Sequence, residues 1–107
     1  MDKIIGEFYF KRTDSGNIVG EFSNNLVEIN STESADALDN LSDFTGEYNS
    51  TWQEDGIPNF AILTIEFKNE LRKIYSLKWA MEEKIIYWGE ALLTDGILVG
   101  NYRNFEM

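Results

Sequence analysis

The chain reads as an all-β protein, an antiparallel meander of about seven strands closing or nearly closing into a barrel, with one short helix. Three observations lead there. Apolar and polar residues alternate with a period of two over most of the chain. Short turn-forming clusters separate the alternating segments. A Gly-x-aromatic unit recurs as Gly6-Glu7-Phe8, Gly20-Glu21-Phe22, Gly46-Glu47-Tyr48 and Gly100-Asn101-Tyr102, with Gly89-Glu90-Ala91 as a variant. At 107 residues, a single domain (1–107) is expected.

From Ile4 to Phe10, the positions Ile4, Gly6, Phe8 and Phe10 share one face, opposite Lys3, Glu7 and Lys11. Thr13-Asp14-Ser15-Gly16 then forms a hairpin turn, with Gly16 suited to a positive φ. Ile18, Gly20 and Phe22 define the second inward face, and a weaker extended stretch covers Leu26 to Ile29. Residues 31–43 interrupt the alternation. Asn30 or Ser31 with Glu33 resembles a capping box, and at 100° per residue Ala35, Ala37, Leu38 and Leu41 separate from Glu33, Asp36, Asp39 and Asp43. This predicts a short amphipathic helix lying against the end of the barrel.

Strands resume with Phe44, Gly46, Tyr48 and Trp52 on one face. Gln53-Glu54-Asp55-Gly56 turns the chain, and Pro58 stands where a strand begins. Ala61, Leu63, Ile65 and Phe67 point inward next. After Asn69-Glu70 comes Leu71 to Met81, with Tyr75, Leu77, Trp79 and Met81 in phase. Glu82-Glu83 turns into Ile85 to Leu93, and Thr94-Asp95-Gly96 turns into Ile97 to Phe105. Gly within a strand weakens it, so its repeated use points to curvature, with a neighbouring aromatic covering the bare backbone. The first and last hairpins echo each other and would meet on closure of the sheet.

The stretch FTGEYNSTW, then Ala61-Ile62-Leu63-Thr64-Ile65, Tyr75 to Trp79 and Tyr87 to Gly100, resembles the rhythm of lipocalin- and avidin-like (calycin-type) meander barrels and of small uncharacterised bacterial β-proteins. Those families commonly open a barrel strand with Gly-x-Trp. Here Gly46-Glu47-Tyr48 and Gly20-Glu21-Phe22 stand in that place, so the resemblance implies the fold but not an enclosed ligand cavity.

Composition narrows function by exclusion. With no Cys and no His, disulfide scaffolds, Cys/His zinc, haem and iron–sulfur sites, and Cys–His or Ser–His–Asp catalysis are ruled out. The net charge of −10 argues against direct nucleic-acid binding, which needs Lys and Arg on phosphates. No apolar run has the length of a transmembrane helix, the first residues hold no signal-peptide core, and a cytoplasmic location is expected. Neither Glu82-Glu83 nor Glu54-Asp55 suggests catalysis, since both pairs fall in expected solvated turns with no pocket around them. No metal site and no cofactor motif is visible, so no cofactor and a non-catalytic protein are expected.

Charge is unevenly placed. Residues 13–67 hold eleven acids and no Lys or Arg, whereas the remainder holds eight acids and nine bases. This suggests a protein–protein interaction module or inhibitor, of immunity or anti-defence type, whose acidic face meets a basic protein partner, a nucleic-acid-processing enzyme being one such partner. Glu33, Asp36, Asp39, Asp43, Glu47, Glu54 and Asp55 are the candidate partner-binding residues. The alternative is a calycin-like carrier or sensor holding a small apolar ligand among Tyr48, Trp52, Trp79 and Tyr87. Large apolar residues on both faces of Ile85 to Leu93, with Ile86, Trp88 and Leu92 outward, call for a cover: the helix, a partner, or a second copy in a homodimer.

Overall fold

A computed structural model of the chain describes residues 3–26, 30–39, 43–54 and 56–104. Eight antiparallel strands follow in sequence order: β1 (Ile5–Arg12), β2 (Ile18–Asn24), β3 (Ser31–Ala37), β4 (Gly46–Glu54), β5 (Ile57–Asn69), β6 (Ile74–Met81), β7 (Lys84–Thr94) and β8 (Ile97–Asn104). Each pairs with the next, and β1 pairs with β8, so the sheet is a closed barrel. Closure leaves no strand edge to pair with another chain.

The Gly-x-aromatic units lock this closure. In the register, Gly6 lies opposite Tyr102, Gly100 opposite Phe8, Gly20 opposite Phe10, and Gly89 opposite Tyr102. A Cβ on Gly6 would collide with the Ser23 carbonyl oxygen and the Tyr102 ring, and one on Gly20 with the Tyr9 carbonyl. The glycines therefore admit close backbone approach, and aromatic rings fill the space they leave. The echoing first and last hairpins do meet, along β1 and β8.

One expected element is different. Residues 31–37 form β3 rather than the start of a helix, which raises the strand count from seven to eight. The burial of β3 alternates: Glu33 and Ala35 are buried, Thr32, Ser34 and Asp36 exposed. Two inward residues of β3 are alanines and one is a carboxylate, all poor strand formers, so its period of two is faint in the sequence. Tertiary demand decides the outcome, because β2 and β4 would otherwise each keep an unpaired edge. Residues 40–42 of the expected helix lie outside the described residues, as do 27–29 of the weak extended stretch and Phe105 of the last strand.

The interior divides into two halves. At the end bearing the β1–β2, β5–β6 and β7–β8 turns, Phe10, Ile18, Leu98, Leu77, Ile65, Tyr48 and Tyr75 are fully buried. Phe44 closes this end, meeting Tyr75 edge-on, and its carbonyl accepts the Tyr48 hydroxyl at 2.7 Å. The opposite end holds both chain ends of the barrel and the β4–β5 and β6–β7 connections. It is lined by Trp52, Trp79, Tyr87 and Tyr102 and is less completely filled.

The outer face of β7 needs no helix to cover it. Arg103 on β8 lies 4.3 Å above the Trp88 ring, directly across the ladder, and shields it. A register shift between Trp79 and Ala80 pairs Tyr87 with Trp79 but Ile85 with Ala80, which lets Ile86 turn against the core. Leu92 remains exposed on the outer surface.

Candidate functional site: a cup with a buried carboxylate

The less filled end contains a cavity of about 20 Å³, room for one or two water-sized groups. Glu33 lies at its side and Phe8 and Phe22 on its wall. Trp52, Trp79, Tyr87 and Tyr102 complete the lining, with Glu54 at the edge. The rings meet mostly edge-on: Trp52 and Tyr87 at 6.2 Å, Tyr87 and Tyr102 at 5.5 Å, Trp79 and Phe8 at 5.7 Å. Such contacts hold each ring in one orientation.

Trp52, Glu54 and Tyr87 also line a wider depression of about 510 Å³ at the same end. Its wall is largely apolar, with Ile4, Leu26, Met81, Ile85 and Ile86, and Lys84 stands on it. Cavity and depression form a stepped cup, with a broad apolar outer chamber and a narrow aromatic inner one.

Glu33 is the chemically distinctive group. It retains 5% of its exposure, and it points into the barrel because it occupies an inward position of β3, opposite Trp52. Its Oε2 accepts the Trp79 indole N–H at 2.7 Å and the Ser50 hydroxyl. Trp79 stands three strands away on β6, and the small inward residues Ala35, Ser50 and Ala61 leave room for its indole to cross. Burial outweighs these two donors and pushes the Glu33 carboxyl up to about 7. Among the described residues no buried side-chain polar atom lacks a partner. Oε1 accepts no hydrogen bond, so it is open to the cavity.

Neighbouring polar groups are firmly placed. The Trp52 indole N–H donates to Glu54 Oε1 at 3.0 Å, and Tyr102 Oη accepts Asn24 Nδ2 at 2.9 Å. Burial pushes the Tyr102 hydroxyl up to about 12 and raises that of Tyr87. Both phenols therefore stay neutral donors at ordinary pH.

Of the four residues expected around a ligand, Trp52, Trp79 and Tyr87 are brought together on the cavity. Tyr48 is not; it is packed in the closed half, and burial pushes its hydroxyl up to about 12. Phe8 and Phe22 belong to the cup and are not among the expected ligand residues; Tyr102, one of the aromatics able to line a cup, joins them there. Their signal was present, since each is the aromatic member of a Gly-x-aromatic unit on an inward face.

The acidic residues disperse. Glu33 is inside the barrel rather than on a solvated face, a direct consequence of strand instead of helix periodicity. Asp36 and Glu47 are exposed on adjoining outer positions of β3 and β4. Asp39 is exposed beyond β3, and Asp43 accepts the backbone N–H and hydroxyl of Thr45 near the closed end. Glu54 stands at the cup, seven residues along β4 from Glu47, or about 23 Å. Asp55 lies outside the described residues. No group of three or more Asp and Glu placed to hold a metal occurs among the described residues. No helix among them is long and apolar enough to cross a membrane. Comparison with protein families, with curated proteins and with solved structures finds no match to this chain.

Proposed function

We propose that this barrel is a small-ligand carrier or sensor that takes its ligand into the stepped cup between Trp52, Trp79 and Tyr87. The observation that carries this reading is the unequal filling of the two halves. One half is packed as a core, while the other leaves an aromatic cavity and, sharing Trp52, Glu54 and Tyr87 with it, a broad apolar depression. Ligand sites are typically concave and mostly apolar, with a few placed polar groups, which describes this end of the molecule. The reading is calycin-like in the position of the site, at a barrel mouth, and it involves binding without catalysis. A cytoplasmic location goes with it, as an expectation from the sequence.

Recognition of a basic protein partner by the acidic surface ranks second. Of the residues it invokes, Asp36 and Glu47 hold adjoining outer positions of β3 and β4, Glu54 stands at the cup, and Glu33 is inside.

Titration with the neutral fluorescent probe N-phenyl-1-naphthylamine tests the carrier reading. The expected result is a saturable rise in fluorescence at one probe per barrel, lost in Ile85→Glu and retained in Leu92→Glu on the outer face. Absence of saturable binding, or equal loss in both variants, would overturn it.

A further inference from the structure

Resting on the carrier reading, we infer that the cup selects a primary ammonium group carried on an apolar body, with the ammonium against Glu33 and the body in the outer chamber. Four features of the site converge on this chemistry.

First, the inner cavity matches a compact head group. Its room for one or two water-sized groups accommodates an –NH₃⁺. Second, the cavity offers an acceptor and no competing cation. Oε2 of Glu33 is occupied by Trp79 and Ser50, which leaves Oε1 for a donor from the ligand. No Lys or Arg is among the described residues lining the inner cavity. A buried carboxylate that lacks a positive partner is costly, and an ammonium would supply one. Third, the walls suit a cation. Trp and Tyr rings attract ammonium groups when desolvated, and Trp52, Trp79, Tyr87 and Tyr102 surround the space. Fourth, the outer chamber suits the rest of the ligand. Ile4, Leu26, Met81, Ile85 and Ile86 supply apolar area for an alkyl or aryl group.

The charged and titratable groups facing the carboxylate are few. Tyr87 and Tyr102 are neutral, Glu54 adds negative potential at the edge, and Lys84 stands on the outer wall. Glu54 already accepts the Trp52 N–H, so it holds the indole in place and still contributes its charge. A net charge of −10 draws cations toward the molecule before they reach the cup.

Calorimetric titration of the protein with 2-phenylethylammonium chloride and with 2-phenylethanol at pH 8 distinguishes the possibilities. The two share an aryl body and differ in the group presented to Glu33. The expected result is one ammonium bound per barrel, at least tenfold tighter than the alcohol. Glu33→Gln should remove that preference, so that the two compounds then bind with equal affinity. Should Glu33→Gln fold poorly, the unsubstituted protein still decides the question, since its ammonium affinity should fall at least tenfold from pH 8 to pH 5.5 with the alcohol unaffected. Equal affinities, or an ammonium affinity independent of pH, would overturn the inference and leave the carrier reading standing. Failure of both compounds to bind would also overturn it. If N-phenyl-1-naphthylamine then failed to saturate, the carrier reading would fall as well.

Discussion

Glu33 Oε2 accepts the Trp79 indole N–H at 2.7 Å, a bond spanning 46 residues and the width of the barrel interior. It ties β3, the strand with the weakest sequence signal, to the aromatic core, and it places a carboxylate where little solvent reaches. The contact is structural and chemical at once. It orients Trp79 over the cavity and leaves one carboxylate oxygen directed at whatever enters.

Stability should therefore depend on pH through Glu33. Its carboxyl titrates near 4.5 in the unfolded chain and at about 7 in the folded one, so the folded state binds the extra proton between those values. The contribution is greatest below about pH 4.5, declines as pH rises to about 7, and is constant above that. The loss is on the order of 3 kcal/mol. Urea denaturation at pH 5 and pH 8 should show this decline, and Glu33→Gln should flatten it relative to the unsubstituted protein. Equal pH dependence in both would contradict the placement of Glu33.

Tyr48→Phe removes the hydroxyl that caps the Phe44 carbonyl in the closed half. Leaving that acceptor unsatisfied should cost about 1–3 kcal/mol in chemical denaturation. Ligand titration should be unchanged, because Tyr48 does not line the cup.

Gly20→Ala drives a Cβ into the Tyr9 carbonyl and toward the Phe10 Cα. Backbone cannot yield as a flexible side chain does, so the cost should be about 1–3 kcal/mol or more. A melting temperature within a degree of the unsubstituted protein would refute the close approach of β1 and β2.

Two hairpins use the same turn with different residues. Asp95 and Gly96 have φ of 51° and 76°, Glu82 and Glu83 φ of 49° and 69°. Both are type I′ geometries, which favour Asn-Gly or Asp-Gly. Glu83→Gly should accordingly stabilise the protein by about 1 kcal/mol, read as a higher urea midpoint.

Much of this architecture was legible from residue order. The inward faces of β1, β2 and β4 to β6 follow directly from alternation, and the Gly-x-aromatic units announced both curvature and the meeting of the first and last hairpins. β3 was not legible as a strand, because Asn30, Ser31 and Glu33 mimic a helix cap and the inward residues Ala35 and Ala37 carry little strand preference. Period-two reading of 31–37 would have set Glu33 beside Ala35 and Ala37, on the inward face. Helix periodicity instead sets Glu33 on the outer surface, away from the cup. Long-range features stayed out of reach for a different reason: the Trp79–Glu33 bond and the register shift at Ala80 depend on how separate strands align.

The cup stands or falls with the state of Glu33, which side-chain carboxyl ¹³C NMR reads directly as pH is varied. Comparison with Glu33→Gln identifies its resonance. A midpoint near 7 in the free protein, moving down on saturation with 2-phenylethylammonium, is the predicted result. A protein in which every carboxyl titrates below about pH 5 would contradict a Glu33 enclosed by the barrel.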